Sequence, residues 1–446
     1  MSAGGLPEVG AFRFRARRYD PETGVLALAY AFDDGEDLVE ELEFPHAPWP
    51  PDPSRQAALD RAFELLHWIA GVSYWKACVP PAMRMDGGEP GPDTARLLTD
   101  VYVHGLAEFG WVNGIDVAAR VRFPAGGAGR DPLALDLPER ALVAMGGGKD
   151  SLVSLETLRA AGVELLPVCV GGAPLIGETV RRAGLPLLRI GRRLAPRLGE
   201  MNRAGALNGH VPVTAIHSAI LACAAILYGF RWVVFSNERS ASEATRVDEG
   251  GREVNHQYSK GEAFERAFQA ELDAHVSPGV QCFSLLRPLA ELGVAARFAR
   301  LARYHDVFSS CNRNFHQDGA RIEGRWCGDC PKCRFAALAL APFVEPAALR
   351  AIQGADLLDD PAQLDGFRAL CGIGAEKPFE CVGEIEECRS ALADLAGRPA
   401  WRGKAVIATL APEVRATGPR PLASWLAPDG PHAIPSSLWD RCRAHL

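Results

Sequence analysis

Apolar and polar positions alternate from Ala11 to Phe44, and the alternation predicts strands. Phe12-Arg-Phe-Arg-Ala-Arg keeps period two, the turns Asp20-Pro-Glu-Thr-Gly24 and Asp33-Asp-Gly35 punctuate it, and 25–32 and 38–44 resume it. Three antiparallel strands are expected. Beyond the Pro-rich link 45–53 the period lengthens: Ala58, Phe63, Leu65, Leu66 and Ile69 mark one face of a helix over 54–70, and 96–109 also has helical spacing. Residues 1–138 are therefore expected to form an α+β domain of strands followed by helices.

A second pattern starts at Ala141. The apolar run 141–145 predicts a buried strand, Gly146, Gly147 and Gly148 break it, and helical periodicity opens at Ser151. Strands at 164–170, 186–190 and 231–235 follow, with a long apolar helix over 212–228. Alternating strands and helices imply an α/β domain over 139–310, built on a parallel sheet with ligand at the carboxyl ends of its strands. Helices are expected at 262–274, 335–340, 345–352 and 364–370. The span 311–403 is read as a cysteine-cluster and helical region, and 404–446 as a Pro-rich tail with a strand at 405–410.

Composition narrows the class. The 446 residues are 48% apolar and 23% charged, ordinary for a globular protein of two or three domains. No apolar run approaches the roughly 18 residues of a membrane span, and the N-terminus lacks the pattern of a signal peptide, so a cytoplasmic protein is expected. A net charge of −7 disfavours binding to a nucleic-acid backbone. Of 48 basic residues only six are Lys. Three of these, Lys149, Lys260 and Lys332, fall within motifs, where a compact ammonium is the group wanted.

The strand, glycine turn and helix start at 141–151 make an anion cradle: glycine admits close approach, and the helix N-terminus offers free N–H groups. Its spacing is not that of the Walker loop, because Asp150 follows Lys149. A plain tight turn is the bland alternative. Ser236-Asn237-Glu238-Arg239 directly follows another strand. Asn255-His256-Gln257-Tyr258-Ser259-Lys260 is a dense polar run suited to substrate or nucleotide contact, its alternative being a solvated loop. His217 lies in an apolar helix and is read as structural, with His210 undecided. Trp68, Tyr74, Trp75 and Trp111 are read as core, a ligand-stacking surface being the alternative.

Twelve Cys in a chain expected inside the cell are buried hydrophobes or metal ligands before they are disulfides. Cys78, Cys169, Cys223, Cys282, Cys371, Cys381, Cys388 and Cys442 stand alone and are read as core. Cys311, Cys327, Cys330 and Cys333, the last three at C-x-x-C-x-x-C spacing, bear the signature of a structural zinc site. An iron–sulfur cluster and reduced, metal-free thiols stay open beside it.

Gly146-Gly-Gly-Lys-Asp150-Ser151 resembles the S-G-G-x-D-S loop of the PP-loop ATP pyrophosphatases, with Gly146 where that superfamily usually has Ser. Taken with the order of the Ser-Asn-Glu-Arg segment, the Asn-His-Gln-Tyr-Ser-Lys run and the cysteine cluster, nearly the whole chain resembles the MurL family. The resemblance implies an adenine nucleotide alpha hydrolase-like fold for the α/β domain. It also implies that ATP and Mg²⁺ serve to invert the terminal L-Glu of UDP-N-acetylmuramoyl-L-alanyl-L-glutamate, a peptidoglycan precursor. Its peptide-bound amine cannot form a Schiff base, so converting the α-carboxylate to an acyl adenylate is what makes Cα–H acidic enough.

In that scheme Gly146, Gly147, Gly148 and Ser151 hold the leaving pyrophosphate. Lys149 neutralises phosphate charge, and Asp150 holds Mg²⁺ or orients a water. Ser236, Asn237 and Glu238 contact nucleotide or metal, while Arg239, Asn255 and Gln257 contact substrate. The base at Cα is sought among His256, Tyr258 and Lys260. A nitrogen- or sulfur-transferring PP-loop ligase and a non-catalytic adenine-nucleotide module are the alternatives.

Overall fold

The computed structural model describes residues 9–49, 52–242, 246–247, 253–255, 257–314, 322, 324–374, 377–378, 380 and 382–446. Its strands in chain order are β1 (Ala11–Asp20), β2 (Val25–Phe32), β3 (Leu38–Glu43), β4 (Ala82–Met85), β5 (Arg140–Ala144), β6 (Glu164–Val170), β7 (Leu188–Arg193), β8 (Trp232–Phe235), β9 (Arg246–Val247), β10 (Glu253–Val254) and β11 (Gln281–Ser284). The chain divides into two compact units. The first comprises Met1–Leu142, Leu188–Val233 and Arg246–Phe283, the second Val143–Leu187, Val234–Thr245 and Ser284–Leu446.

In the first unit the expected meander forms, β1 pairing antiparallel with β2 and β2 with β3. The chain adds two strands: β4 joins β1 in parallel, and β7 joins β3 antiparallel. Period-two burial places Phe12, Phe14, Leu26, Leu28, Tyr30 and Leu42 in the core. The helix Pro53–Ala70, capped by the Asp52 side chain on Arg55 N, packs against the helix Val213–Tyr228. Trp68, Tyr74 and Trp75 are buried as expected, but Trp111 is 47% exposed. Trp111 sits on the short helix Ala107–Asn113, of whose seven residues only Phe109 and Gly110 are buried.

In the sheet order β5 lies between β6 and β8, and β11 flanks β8. Gln281 N–H donates to Arg231 O at 2.8 Å and Leu285 N–H to Phe235 O at 2.9 Å, equal steps along both chains, so β11 and β8 are parallel. β6, next in the chain, takes one side of β5, and β8 takes the other. Such a reversal opens a crevice at the carboxyl end of the central strand. The chain then continues through helices that include Glu291–Ala299, Pro331–Leu340, Pro346–Gln353, Leu364–Leu370 and Ile385–Leu395.

The tail corrects one expectation: 405–410 belongs to the helix Ala405–Ala416 and is not a strand. Val406, Ile407, Leu410, Ala411 and Val414 are all buried, a helical stripe that a six-residue window cannot tell from a strand. Among the described residues no helix is long and apolar enough to cross a membrane.

Candidate active site

The helix after the glycine turn begins at Lys149, two residues earlier than its periodicity suggests. Lys149 and Asp150 therefore sit in its first turn, where the N–H groups are unpaired. Gly147 has φ +78°, a conformation that favours glycine, and Gly148 takes the N-cap position. A Cβ at Gly146 would meet nothing within 4 Å, so the protein itself does not require glycine there. The turn is braced by Ser309 N–H, which donates to Gly147 O at 3.3 Å.

Lys149 is buried, its side chain 5% exposed. Its ammonium donates to Asp150 Oδ1 at 2.6 Å and to Glu291 Oε2. Burial works against that charge, yet the two carboxylates outweigh it, and the Lys149 pKa is raised. Glu291 is the first residue of the helix Glu291–Ala299, beyond the end of β11. Burial pushes its carboxyl up to about 8, with Lys149 pulling it down and Asp150 and Glu238 pushing it up. Glu238 is also buried and raised by burial; it accepts from Ser240 N at 2.5 Å and Ser240 Oγ at 2.7 Å. Glu387 is fully buried and is raised by burial and then by Glu238; it accepts from Leu292 N at 2.9 Å and Glu384 N at 3.1 Å. Asp150, Glu291 and Glu238 thus surround one ammonium beside a glycine turn, with Glu387 behind Glu238 and Glu291. Buried carboxyls raised in this way beside a glycine turn make the cluster a candidate functional centre.

Of the residues singled out in the sequence, this cluster brings together Lys149, Asp150 and Glu238. Ser151 Oγ donates back to Gly148 O at 3.2 Å. Ser236 Oγ donates to Ser154 Oγ at 2.8 Å and Asn237 Nδ2 to Ser284 Oγ at 3.0 Å, so both tie strand ends to their surroundings. Arg239 lies 3.2 Å from Asp429 and 3.8 Å from Glu384. Glu291, Glu387 and Arg287, which donates to Glu238 O at 2.9 Å, were not singled out. The strand-end rule that found Glu238 also applies to Arg287 and Glu291, but β11 has only four residues and carries no clear periodic signal.

The polar run belongs to the first unit. Gln257 N–H donates to Asn255 Oδ1 at 2.7 Å, and Tyr258 begins a short 3-10 turn that ends at Lys260. The Tyr258 ring lies 5.1 Å from the His104 ring, and burial raises its phenol. His256 lies outside the described residues. His217 is held neutral, its pKa lowered to about 3 by burial and then by Arg192, which fits its structural reading. His210 Nδ1 lies 3.7 Å from Glu108.

Cys311, Cys327, Cys330 and Cys333 converge, their sulfurs all within 4.8 Å of one another. The distances include 3.5 Å for Cys330–Cys333, 3.8 Å for Cys327–Cys333 and 4.0 Å for Cys311–Cys330. Tetrahedral zinc with Zn–S near 2.3 Å requires S···S of about 3.8 Å, so this donor set fits a metal ion. Cys330 takes the N-cap position of the helix Pro331–Leu340 and Cys333 lies in its first turn, where the dipole favours thiolates. The solitary Cys residues are buried as expected, Cys381 lying outside the described residues.

Known proteins resemble the chain over nearly its whole length. The model of the MurL N-terminal domain matches residues 6–285, and that of the MurL C-terminal domain matches residues 307–423. A UDP-N-acetyl-alpha-D-muramoyl-L-alanyl-L-glutamate epimerase of Xanthomonas oryzae pv. oryzae (strain MAFF 311018) is 49% identical over 450 residues, covering 100% of both chains. Epimerases of the same name from Salinispora tropica (strain ATCC BAA-916 / DSM 44818 / JCM 13857 / NBRC 105044 / CNB-440) and Micromonospora sp. (strain ATCC 39149 / NRRL 15099 / SCC 1413) are each 42% identical. They cover 98% and 96% of this chain, and 96% and 97% of their own lengths. With both family domains matched in order and relatives aligned end to end, the chain belongs to the MurL family.

Proposed function

We propose that this protein inverts the terminal L-Glu of UDP-N-acetylmuramoyl-L-alanyl-L-glutamate to D-Glu, consuming ATP in the cytoplasm to supply a peptidoglycan precursor. The observation that supports ATP use is the buried Lys149 ammonium at the helix N-terminus beyond a glycine turn, in a chain whose relatives carry the epimerase name. A PP-loop nucleotide fold follows from the same reading. The substrate carboxylate attacks the α-phosphorus of ATP, pyrophosphate leaves, and the carboxylate becomes an acyl adenylate. That change removes a negative charge beside Cα, so the α-proton can be lost and returned on the opposite face. Hydrolysis then releases AMP and the D-Glu product.

In this reading the N–H groups of Gly147, Gly148 and Lys149 receive the departing phosphates, with the Lys149 charge beside them. Asp150, with Glu238 behind it, would hold Mg²⁺, which supplies charge neutralisation on the phosphates. Tyr258, whose phenol keeps its proton at neutral pH, suits the donor side of the proton exchange, leaving His256 or Lys260 as acceptor. The four Cys would hold zinc as a structural ion. Through Ser309, only two residues before Cys311, that centre steadies the glycine turn.

Chiral analysis of glutamate after incubation with ATP, Mg²⁺ and the dipeptide nucleotide tests the proposal. D-Glu formed with stoichiometric AMP and pyrophosphate, and with solvent deuterium at Cα, is expected. AMP with a different product, or binding without hydrolysis, overturns it in favour of a ligase or a non-catalytic module. For the cysteine centre, metal analysis is expected to give about one zinc per chain, lost in Cys330→Ser. Iron and sulfide in place of zinc, or no metal, sinks that assignment.

A further inference from the structure

Lys149 stands where a cation is least welcome. It is the first residue of its helix, at the positive end of the dipole, and is almost wholly out of water. Asp150, its chain neighbour, already lies 2.6 Å from the ammonium and is itself about a third exposed, which is enough to neutralise it. Glu291 is a second, separate contact, brought from 142 residues away.

What distinguishes Glu291 is how firmly it is held. It opens the helix Glu291–Ala299, and the next N–H of that helix, Leu292, donates to Glu387 Oε1 at 2.9 Å. Glu387 is in turn fixed by a capping box with Glu384 at the start of the helix Ile385–Leu395. A side chain with four rotatable bonds and one acceptor sweeps an arc, whereas two acceptors on separately anchored helices define a point. Buried ion pairs add little net stability over apolar packing, so a duplicated carboxylate is poorly explained by stability alone.

We infer that Glu291 is a positioning residue: with Asp150 it sets the Lys149 ammonium at the glycine turn, ready for a phosphate oxygen. The inference rests on reading the turn as the ATP phosphate site. Glu291 itself touches no substrate. Glu387 acts one step further back, by fixing the end of the helix that carries Glu291.

The test compares full-length wild type, Glu291→Gln and Glu291→Asp for thermal midpoint, for ATP binding by calorimetry, and for kcat and KM per folded molecule. Glu291→Gln is expected to lower kcat about a hundredfold while KM for ATP moves less than about threefold, the signature of a misplaced group. Glu291→Asp, keeping the carboxyl acceptor on a shorter arm, is expected to recover about tenfold of that loss. Wild-type kcat in Glu291→Gln overturns the inference, as do losses in both variants that track only the folded fraction. Should Glu291→Gln not fold, Glu291→Asp decides alone, and an unchanged kcat overturns the inference. A wild type that binds ATP nowhere removes the underlying reading instead, a result visible before any variant is made.

Discussion

The two units bury carboxylates in different ways. In the first, fully buried Glu40 accepts from Arg192 at 2.7 Å, and Glu64 meets Arg130 at 2.8 Å and Arg17 at 3.2 Å. Glu271 accepts from Thr94 Oγ1 at 2.6 Å. In the second, Asp150 and Glu291 contact Lys149, Glu238 and Glu387 adjoin them, and these last two accept from backbone N–H groups instead of cations. Ion pairs such as Glu40–Arg192 and Glu64–Arg130 match a carboxylate with a cation and tie distant parts of the unit together. An unmatched cluster holds charge in reserve for a partner that arrives from solution.

If that contrast is right, Lys149→Ala is expected to cut ATP-dependent turnover about a hundred- to thousand-fold while the protein stays folded. Chiral product analysis beside circular dichroism checks this. A variant that unfolds, or one that keeps full turnover, breaks the comparison. In the first unit Arg192→Met does the opposite, leaving Glu40 buried without its cation and costing about 3–5 kcal/mol of stability with little change in turnover per folded molecule. Urea denaturation measures it, and an unchanged midpoint with lost activity reverses the contrast.

The next effect concerns pH. Burial lowers the His67 pKa to about 4, opposed by its hydrogen bond to Ala29 O, so the ring is neutral when folded. A depressed folded pKa contributes stability above the ordinary value of 6.5, lost as pH falls through about 4. That span corresponds to about 3 kcal/mol, and His67→Gln is expected to flatten denaturation midpoints between pH 6.5 and about 4. An undiminished slope assigns acid sensitivity elsewhere. Smallest is the turn itself: Gly147→Ala costs about 1–2 kcal/mol through its positive φ, whereas Gly146→Ser, with open space around it, is expected to be neutral. Equal effects on thermal midpoint would contradict that reading.

Much of this was legible in the chain. Period-two alternation foretold β1 to β3, and the run 164–170 gave β6 its bounds, because a strand buried on one or both faces must show its apolar residues in order. C-x-x-C-x-x-C spacing foretold three of four converging thiols, since two intervening residues suffice to bring sulfurs to one centre. Short elements without an unbroken apolar run escaped: β4 and β11 have four residues each and include Arg84 and Gln281, whereas four-residue β8 showed as Trp-Val-Val-Phe. The 405–410 reading failed because six residues of a helical stripe look like a strand.

What the sequence determined by itself was local: strand and helix periods, the glycine turn that needs φ above zero at Gly147, and the thiol spacing, all set by contacts within a few residues. What only the tertiary structure decided was which distant groups share the buried ground around Lys149. Glu291 lies 142 positions along the chain from Lys149, and Glu387 a further 96 beyond Glu291. No period or motif links them, because their meeting follows from strand order and helix packing, and their perturbed charge arises only once water has been excluded from all of them together.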